Sequence, residues 1–228
     1  MTAPRLLIIG PQGSGKGTQG ERIAGAFRVP AVSTGDVFRA NVKEGTPLGL
    51  EVKAIIDAGD LVPDALTGAI VRDRLAQDDA AGGFLLDGYP RNLGQVGDLD
   101  AFLDERGEQL TAVIELSVPR DESIRRIALR AREQGRADDN DESIAKRLSI
   151  YESETAPILD VYRERGVVDE IDGVGSLDEV FERIMPFRRA SDTVRHRSRF
   201  LAEDHARLAT TLRELLKGVL PDELVTGP

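Results

Sequence analysis

The string Gly10-Pro11-Gln12-Gly13-Ser14-Gly15-Lys16-Gly17-Thr18 sets four glycines around one lysine. Glycine lets a backbone turn tightly enough to aim successive N–H groups at one point, and such a nest binds anions. Lys16 adds a full charge within reach of the β- and γ-phosphates of a nucleoside triphosphate. The general phosphate-loop pattern has Ser or Thr directly after the lysine. Here Gly17 holds that place and Thr18 follows, so the loop is a variant. A bare Gly-x-Gly would fit a simple turn or a dinucleotide fingerprint. The lysine at this spacing, after an apolar strand and before a helical stretch, points instead to ATP or GTP.

A second cluster lies at Phe84-Leu85-Leu86-Asp87, an apolar run ending in an acid. A carboxylate at the end of a strand beside a phosphate loop can orient the hydration shell of Mg2+. Strands also end in Asp-Gly merely to turn. The adjoining Gly88-Tyr89-Pro90-Arg91 favours the chemical reading.

These residues need a scaffold. Apolar runs at Arg5 to Ile9, Phe84 to Leu86, Ala112 to Ser117 and Val167 to Ile171 read as strands. Glu115 alone interrupts the third. Helical periodicity fills most of what lies between, beginning with Lys16 to Phe27. Strands alternating with helices predict an α/β fold with a parallel sheet covered on both faces. Residues 33–62 read as short helices broken by Gly45, Pro47, Gly49 and Gly59, an insertion on the core. Residues 186–228 shift composition again, with 8 basic and 6 acidic residues.

Bulk properties exclude several classes. The 228 residues, 40% hydrophobic and 31% charged, suit a soluble globular chain. No apolar run approaches the length of a membrane span, and Met1 to Gly10 lacks the features of a signal peptide. The chain has no cysteine and only two histidines, His196 and His205, so disulfides are impossible and zinc is not expected. A cytoplasmic protein fits these facts. A formal charge of −10 argues against general nucleic-acid binding, although arginines converging in one cleft could still hold a polyanion.

Six stretches together carry a family resemblance: GPQGSGKGTQ (10–19), STGDVFRA (33–40), GDLVPD (59–64), FLLDGYPRN (84–92), GRADDN (135–140) and KRLSIYESETAPIL (146–159). In this order and spacing they resemble adenylate kinase, over residues 5 to about 185. The resemblance implies a P-loop nucleoside-monophosphate kinase fold with a parallel five-stranded sheet flanked by helices. Its core would comprise 1–32, 63–129 and 138–185, with a monophosphate-binding insertion at 33–62, a short lid at 130–137 and a C-terminal extension at 186–228. It also implies reversible phosphoryl transfer from MgATP to AMP, giving two ADP.

Carried over by position, Gly13, Ser14, Gly15, Lys16, Gly17 and Thr18 would hold the ATP phosphates, and the Gly175 backbone would touch the ATP base. Thr34, Arg39, Asp60, Leu61 and Val62 would form the AMP pocket with Gly88, Tyr89, Pro90 and Arg91. Gln95 would meet the adenine edge. Lys16, Arg91, Arg130, Arg136 and Arg147 would act in catalysis, Asp87 would hold Mg2+ through water, and Asp138 and Asp139 would help hold the lid. The chemistry supports such a set: phosphoryl transfer is mostly alignment and charge compensation, and guanidinium grips phosphate bidentately without losing its proton. Any one arginine reads equally well as a surface residue. Arg132 is an extra guanidinium near the lid, and Arg130 is preferred because it ends the helical stretch from Asp121.

Uridylate-cytidylate kinases resemble the same pattern. They tend to carry Asn four residues after the arginine, where this chain has Gln95, whose amide can donate to and accept from adenine. Asn92 leans towards the pyrimidine kinases; Gln95 favours AMP. A non-catalytic nucleotide sensor is a further alternative, opposed by the intact Lys16, Asp87, Arg91, Arg136 and Arg147. In the tail, Leu201, Leu208 and Leu215 interleave with His205, Leu212 and Val219 at seven-residue spacing. That helix is expected to pack on its own core or remain a loose end, leaving a monomer, with self-association or docking to a partner as the sharper alternative.

Overall fold

The computed structural model describes residues 3–134 and 141–186. Strands β1 (Arg5–Ile9), β2 (Ala31–Ser33), β3 (Phe84–Asp87), β4 (Ala112–Ser117) and β5 (Val168–Asp172) form one sheet in the order β2-β3-β1-β4-β5. All four pairings are parallel. The chain runs from β1 out to one edge, returns to β3 and then crosses β1 to β4. The crevice beyond the carboxyl ends of β1 and β3 is therefore a topological switch point, where open α/β sheets bind ligands. Register places Ile8 opposite Asp87, at the mouth of that crevice.

Alternation along β1 explains how the sheet is covered. Leu7 and Ile9 join Leu86 and Val113 in one buried cluster with Val96, Leu99, Phe102, Ile158 and Tyr162. The helices on that face are α4 (Asp64–Leu75), α5 (Leu93–Glu105) and α8 (Ala156–Glu164). Leu6 and Ile8 point the other way, where α1 (Lys16–Phe27), α6 (Arg120–Gln134) and α9 (Leu177–Ile184) contribute the buried Ile23, Ile127 and Val180. Leu6, Leu7, Ile8, Leu85 and Leu86 are all within 1% of complete burial. Truncating one of them to Ala would cost about 2–5 kcal/mol, because such a packed layer cannot collapse into the void.

Glu115 sits 8% exposed within β4 and accepts from Arg163 of α8 at 2.6 Å. Burial pushes its pKa up, and the nearby guanidinium opposes that shift. The interruption seen in the sequence is thus an ion pair at the edge of the covered face.

Residues 33–62 contribute a small core, Phe38, Val52 and Val62, with Val42, Leu48 and Ile55, and Leu66 of α4, packed against it. Ser33 caps α2 (Thr34–Glu44) by accepting from Asp36 N at 3.3 Å. Thr46 caps α3 (Pro47–Asp57), with proline in its first turn. The two helices cross so closely at Gly49 that a Cβ there would overlap the Asn41 carbonyl. Farther along, α7 (Asp141–Ile150) passes into a π-helical turn (Tyr151–Thr155) before α8.

Candidate active site

The phosphate loop joins β1 to α1 through two left-handed glycines, Gly13 at φ 81° and Gly15 at φ 92°. Gly13 has a second reason to lack a side chain: its Cβ would lie 2.5 Å from the Ser123 carbonyl of α6. Gly15 directly precedes α1, so the loop delivers its N–H groups to the positive end of that helix. Lys16 Nζ donates to the Gly10 carbonyl at 2.7 Å and the Pro11 carbonyl at 2.8 Å. Burial lowers its pKa from 10.5 to about 8, a shift that Asp87 resists and Arg91 and Arg130 reinforce. Burial raises the Asp87 pKa, with Lys16 pulling the other way. The two groups therefore interact electrostatically at the end of β3, each partly buried.

A cavity of about 800 Å³ opens over this loop, walled also by Asp36, Arg39, Arg126, Arg130 and Gly175. Two further cavities adjoin it. One is lined by Thr34, Arg39, Asp60, Leu61, Val62 and Gln95, among others. The next includes Lys16, Pro90, Tyr151 and Thr155. Gln12, Gly88 and Arg91 wall all three, so the chambers share one boundary.

Arg91 is fixed at that boundary. Its Nε donates to the Gly88 carbonyl and its backbone N–H to Gln95 Oε1, both at 2.8 Å. Burial lowers its pKa, yet a guanidinium starts so high that it stays charged. With its amide oxygen facing them, Gln12 accepts from Arg130 at 2.9 Å and from Arg147 at 3.0 Å. Arg147 also donates to the Ile56 carbonyl at 2.9 Å. Three guanidiniums from α6, α7 and the loop after β3 thereby line adjoining walls.

A model of the adenylate kinase family matches residues 8–167. The chain belongs to that family. It is similar to the adenylate kinase of Leifsonia xyli, 58% identical over 179 residues that cover 78% of this chain and 90% of the relative. It also resembles the adenylate kinase of Clavibacter michiganensis, at 55% over 180 residues, 79% of this chain and 90% of that one. That of Kocuria rhizophila is 53% identical over 181 residues, covering 79% and 96%.

For an adenylate kinase, the expected residues gather well. Gly13, Ser14, Gly15, Lys16, Gly17, Thr18, Arg130 and Gly175 border the largest cavity with Asp87. Thr34, Arg39, Asp60, Leu61, Val62, Gly88, Arg91, Gln95 and Arg147 border the neighbouring one. Thr34 Oγ1 donates to the Gly88 carbonyl at 3.0 Å, tying α2 to the loop after β3. Pro90 lines the third cavity. The Tyr89 side chain does not join them: it is 3% exposed and packed in the core. Arg130 rather than Arg132 reaches the loop; Arg132 is exposed. Arg136, Asp138, Asp139 and the tail with His196 and His205 lie outside the described residues.

Several participants went unnoticed in the sequence. Gln12 carries no role in the sequence reading, although an amide among glycines in a phosphate loop is a polar group with few local partners. Arg126, one turn before Arg130, donates to the Ser14 carbonyl at 3.5 Å and pairs with Glu122 at 2.6 Å. Its four-residue spacing from Arg130 places both on one helix face, a signal that was available. Asn92 caps α5 by accepting from Gln95 N at 2.9 Å. That cap gives Asn92 a structural role of its own.

Proposed function

We infer that this chain catalyses reversible phosphoryl transfer from MgATP to AMP, yielding two ADP, the activity that its family name describes. The observation that carries this reading is the common wall formed by Gln12, Gly88 and Arg91 between the phosphate-loop cavity and the Thr34–Gln95 cavity. A triphosphate seated in one and a monophosphate in the other would meet at the Arg91 guanidinium.

In this mechanism the backbone N–H groups of 13–18 and Lys16 hold the donor phosphates, and Arg130 faces the transferred group. Arg91, Arg39 and Arg147 hold the acceptor phosphate, while Thr34, Asp60, Leu61, Val62, Gly88, Pro90 and Gln95 enclose the nucleoside. Arg136 is assigned to the phosphates on resemblance alone. Alignment and charge compensation supply most of the acceleration in such transfers. Lys16 must release the Gly10 and Pro11 carbonyls to reach a phosphate, which exchanges two neutral acceptors for a charged one.

Asp87 fits Mg2+ bound through water, because its hard oxygens sit beside the loop and in reach of its cations. Among the described residues no three His, Cys, Asp or Glu side chains cluster, so phosphates and water would supply the remaining ligands. When bound, the ion spreads the negative charge of the donor phosphates. Both nucleotide sites lie on one chain, so a monomer suffices, and ATP and AMP as substrates suit a cytoplasmic protein. Residues 33–62, whose buried Phe38, Val52 and Val62 form a cluster separate from the main core, are the natural unit to move over AMP.

An ADP-formation assay with AMP, UMP, CMP and GMP as acceptors tests the reading. AMP should be preferred strongly. A preference for UMP or CMP would replace the substrate assignment, and no turnover with any acceptor would favour a sensor.

A further inference from the structure

Gln95 is 2% exposed, and both ends of its amide are engaged. Nε2 donates to Asp64 Oδ1 at 2.7 Å, and Oε1 accepts the Arg91 backbone N–H at 2.8 Å. A carboxamide is nearly symmetric in shape, so packing alone cannot tell its oxygen from its nitrogen. Its partners can: a carboxylate only accepts and a backbone N–H only donates. The two anchors select the same orientation. Asp64 is itself held, since Asn92 Nδ2 donates to its two oxygens at 3.0 and 3.1 Å. It also stands in the first turn of α4, where the helix dipole favours a negative side chain.

We propose that Asp64 is a specificity-determining positioning residue that locks the Gln95 amide in one orientation and so sets which purine edge the monophosphate cavity accepts. The proposal rests on the reading that Gln95 faces the acceptor base. After its two internal bonds, the amide keeps one N–H and one oxygen lone pair to offer. A 6-aminopurine presents an amino donor beside a ring-nitrogen acceptor. A 6-oxopurine presents a carbonyl acceptor beside a ring N–H donor, the reverse order. An amide free to rotate by half a turn could serve either base, whereas a locked one serves only the first. Rejecting the wrong base then follows from leaving buried polar groups unpaired, which discriminates far better than shape.

Asp64→Asn preserves shape but replaces one acceptor with a donor, so the lock weakens. The test is steady-state kinetics of the full chain with AMP and IMP as acceptors, for wild type, Asp64→Asn, Gln95→Ala and the double variant. Asp64→Asn should raise the KM for AMP and shrink the AMP-over-IMP ratio of kcat/KM by about tenfold, with kcat and the KM for ATP within about twofold. In the Gln95→Ala background the same substitution should change the ratio by less than about twofold, because its target is gone. Where Asp64→Asn does not melt cooperatively, Asp64→Ser, whose hydroxyl both donates and accepts, replaces it. An unchanged ratio in Asp64→Asn with a collapsed ratio in Gln95→Ala overturns the role of Asp64 alone. An unchanged ratio in Gln95→Ala overturns the base contact on which it rests.

Discussion

Thr155 Oγ1 donates to the Arg91 carbonyl oxygen at 2.8 Å, bridging 64 residues of sequence. The donor ends the π-helical turn, and the acceptor lies in the loop after β3. Arg91 is thus gripped at its N–H by Gln95, at its carbonyl by Thr155 and at its side chain by Gly88. A π-helical turn shifts the residues that follow it around the helix axis, and such turns recur at functional sites.

Thr155→Val keeps the shape and deletes the donor. Leaving the Arg91 carbonyl without it should cost about 1 kcal/mol of stability. Loosening the guanidinium should lower kcat several-fold while leaving ATP binding nearly intact. Urea unfolding and steady-state kinetics read the two effects; a variant matching wild type in both would show that the bond positions nothing.

Lys16 makes a pH prediction. Its folded pKa is lowered to about 8, chiefly by burial, and triphosphate charge must raise it again. ATP binding should therefore take up a proton near pH 8.5, where the lysine starts mostly neutral, and progressively less towards pH 7. Before nucleotide binds, the sign for stability is also set: the unfolded chain holds this proton more tightly, so the Lys16 contribution becomes more favourable as pH rises from about 8 towards 10.5. Calorimetry in buffers of different ionisation enthalpy measures the uptake. Lys16→Met should abolish it and reduce kcat by about a hundredfold or more.

Gly49→Ala tests the unit over the acceptor cavity. The new methyl meets the Asn41 backbone, which cannot rotate away, so α2 and α3 must separate at a cost of about 1–3 kcal/mol. AMP affinity should drop about tenfold with ATP affinity preserved, because Thr34 and Arg39 ride on α2 and the phosphate loop does not. Equal losses for both nucleotides would mean that the two regions are not separable in this way.

How far the sequence carried can be judged from particular residues. Arg5–Ile9 and Phe84–Asp87 were legible because buried parallel strands are continuous apolar runs ending at punctuating residues. Ala31–Ser33 escaped: three residues after a proline at the sheet edge are too short to show a period, and their place is fixed by pairing with β3. The phosphate loop could be read because a nest of backbone groups needs glycines at fixed offsets. Asp64 and Thr155 could not, since each acts through hydrogen bonds to residues far away in sequence. Tyr89 differs from its neighbours: Gly88, Pro90 and Arg91 line the cleft, whereas its ring is packed in the core.

The most direct measurement follows the phosphate itself. ATP labelled in its γ-phosphate is mixed with AMP and Mg2+, and the products are separated during the first turnovers. Arg91 at the shared wall predicts that the label passes straight to the acceptor, giving labelled and unlabelled ADP in equal amounts with almost no free labelled phosphate. Label released as inorganic phosphate, or retained in ATP while AMP is bound, would contradict the account.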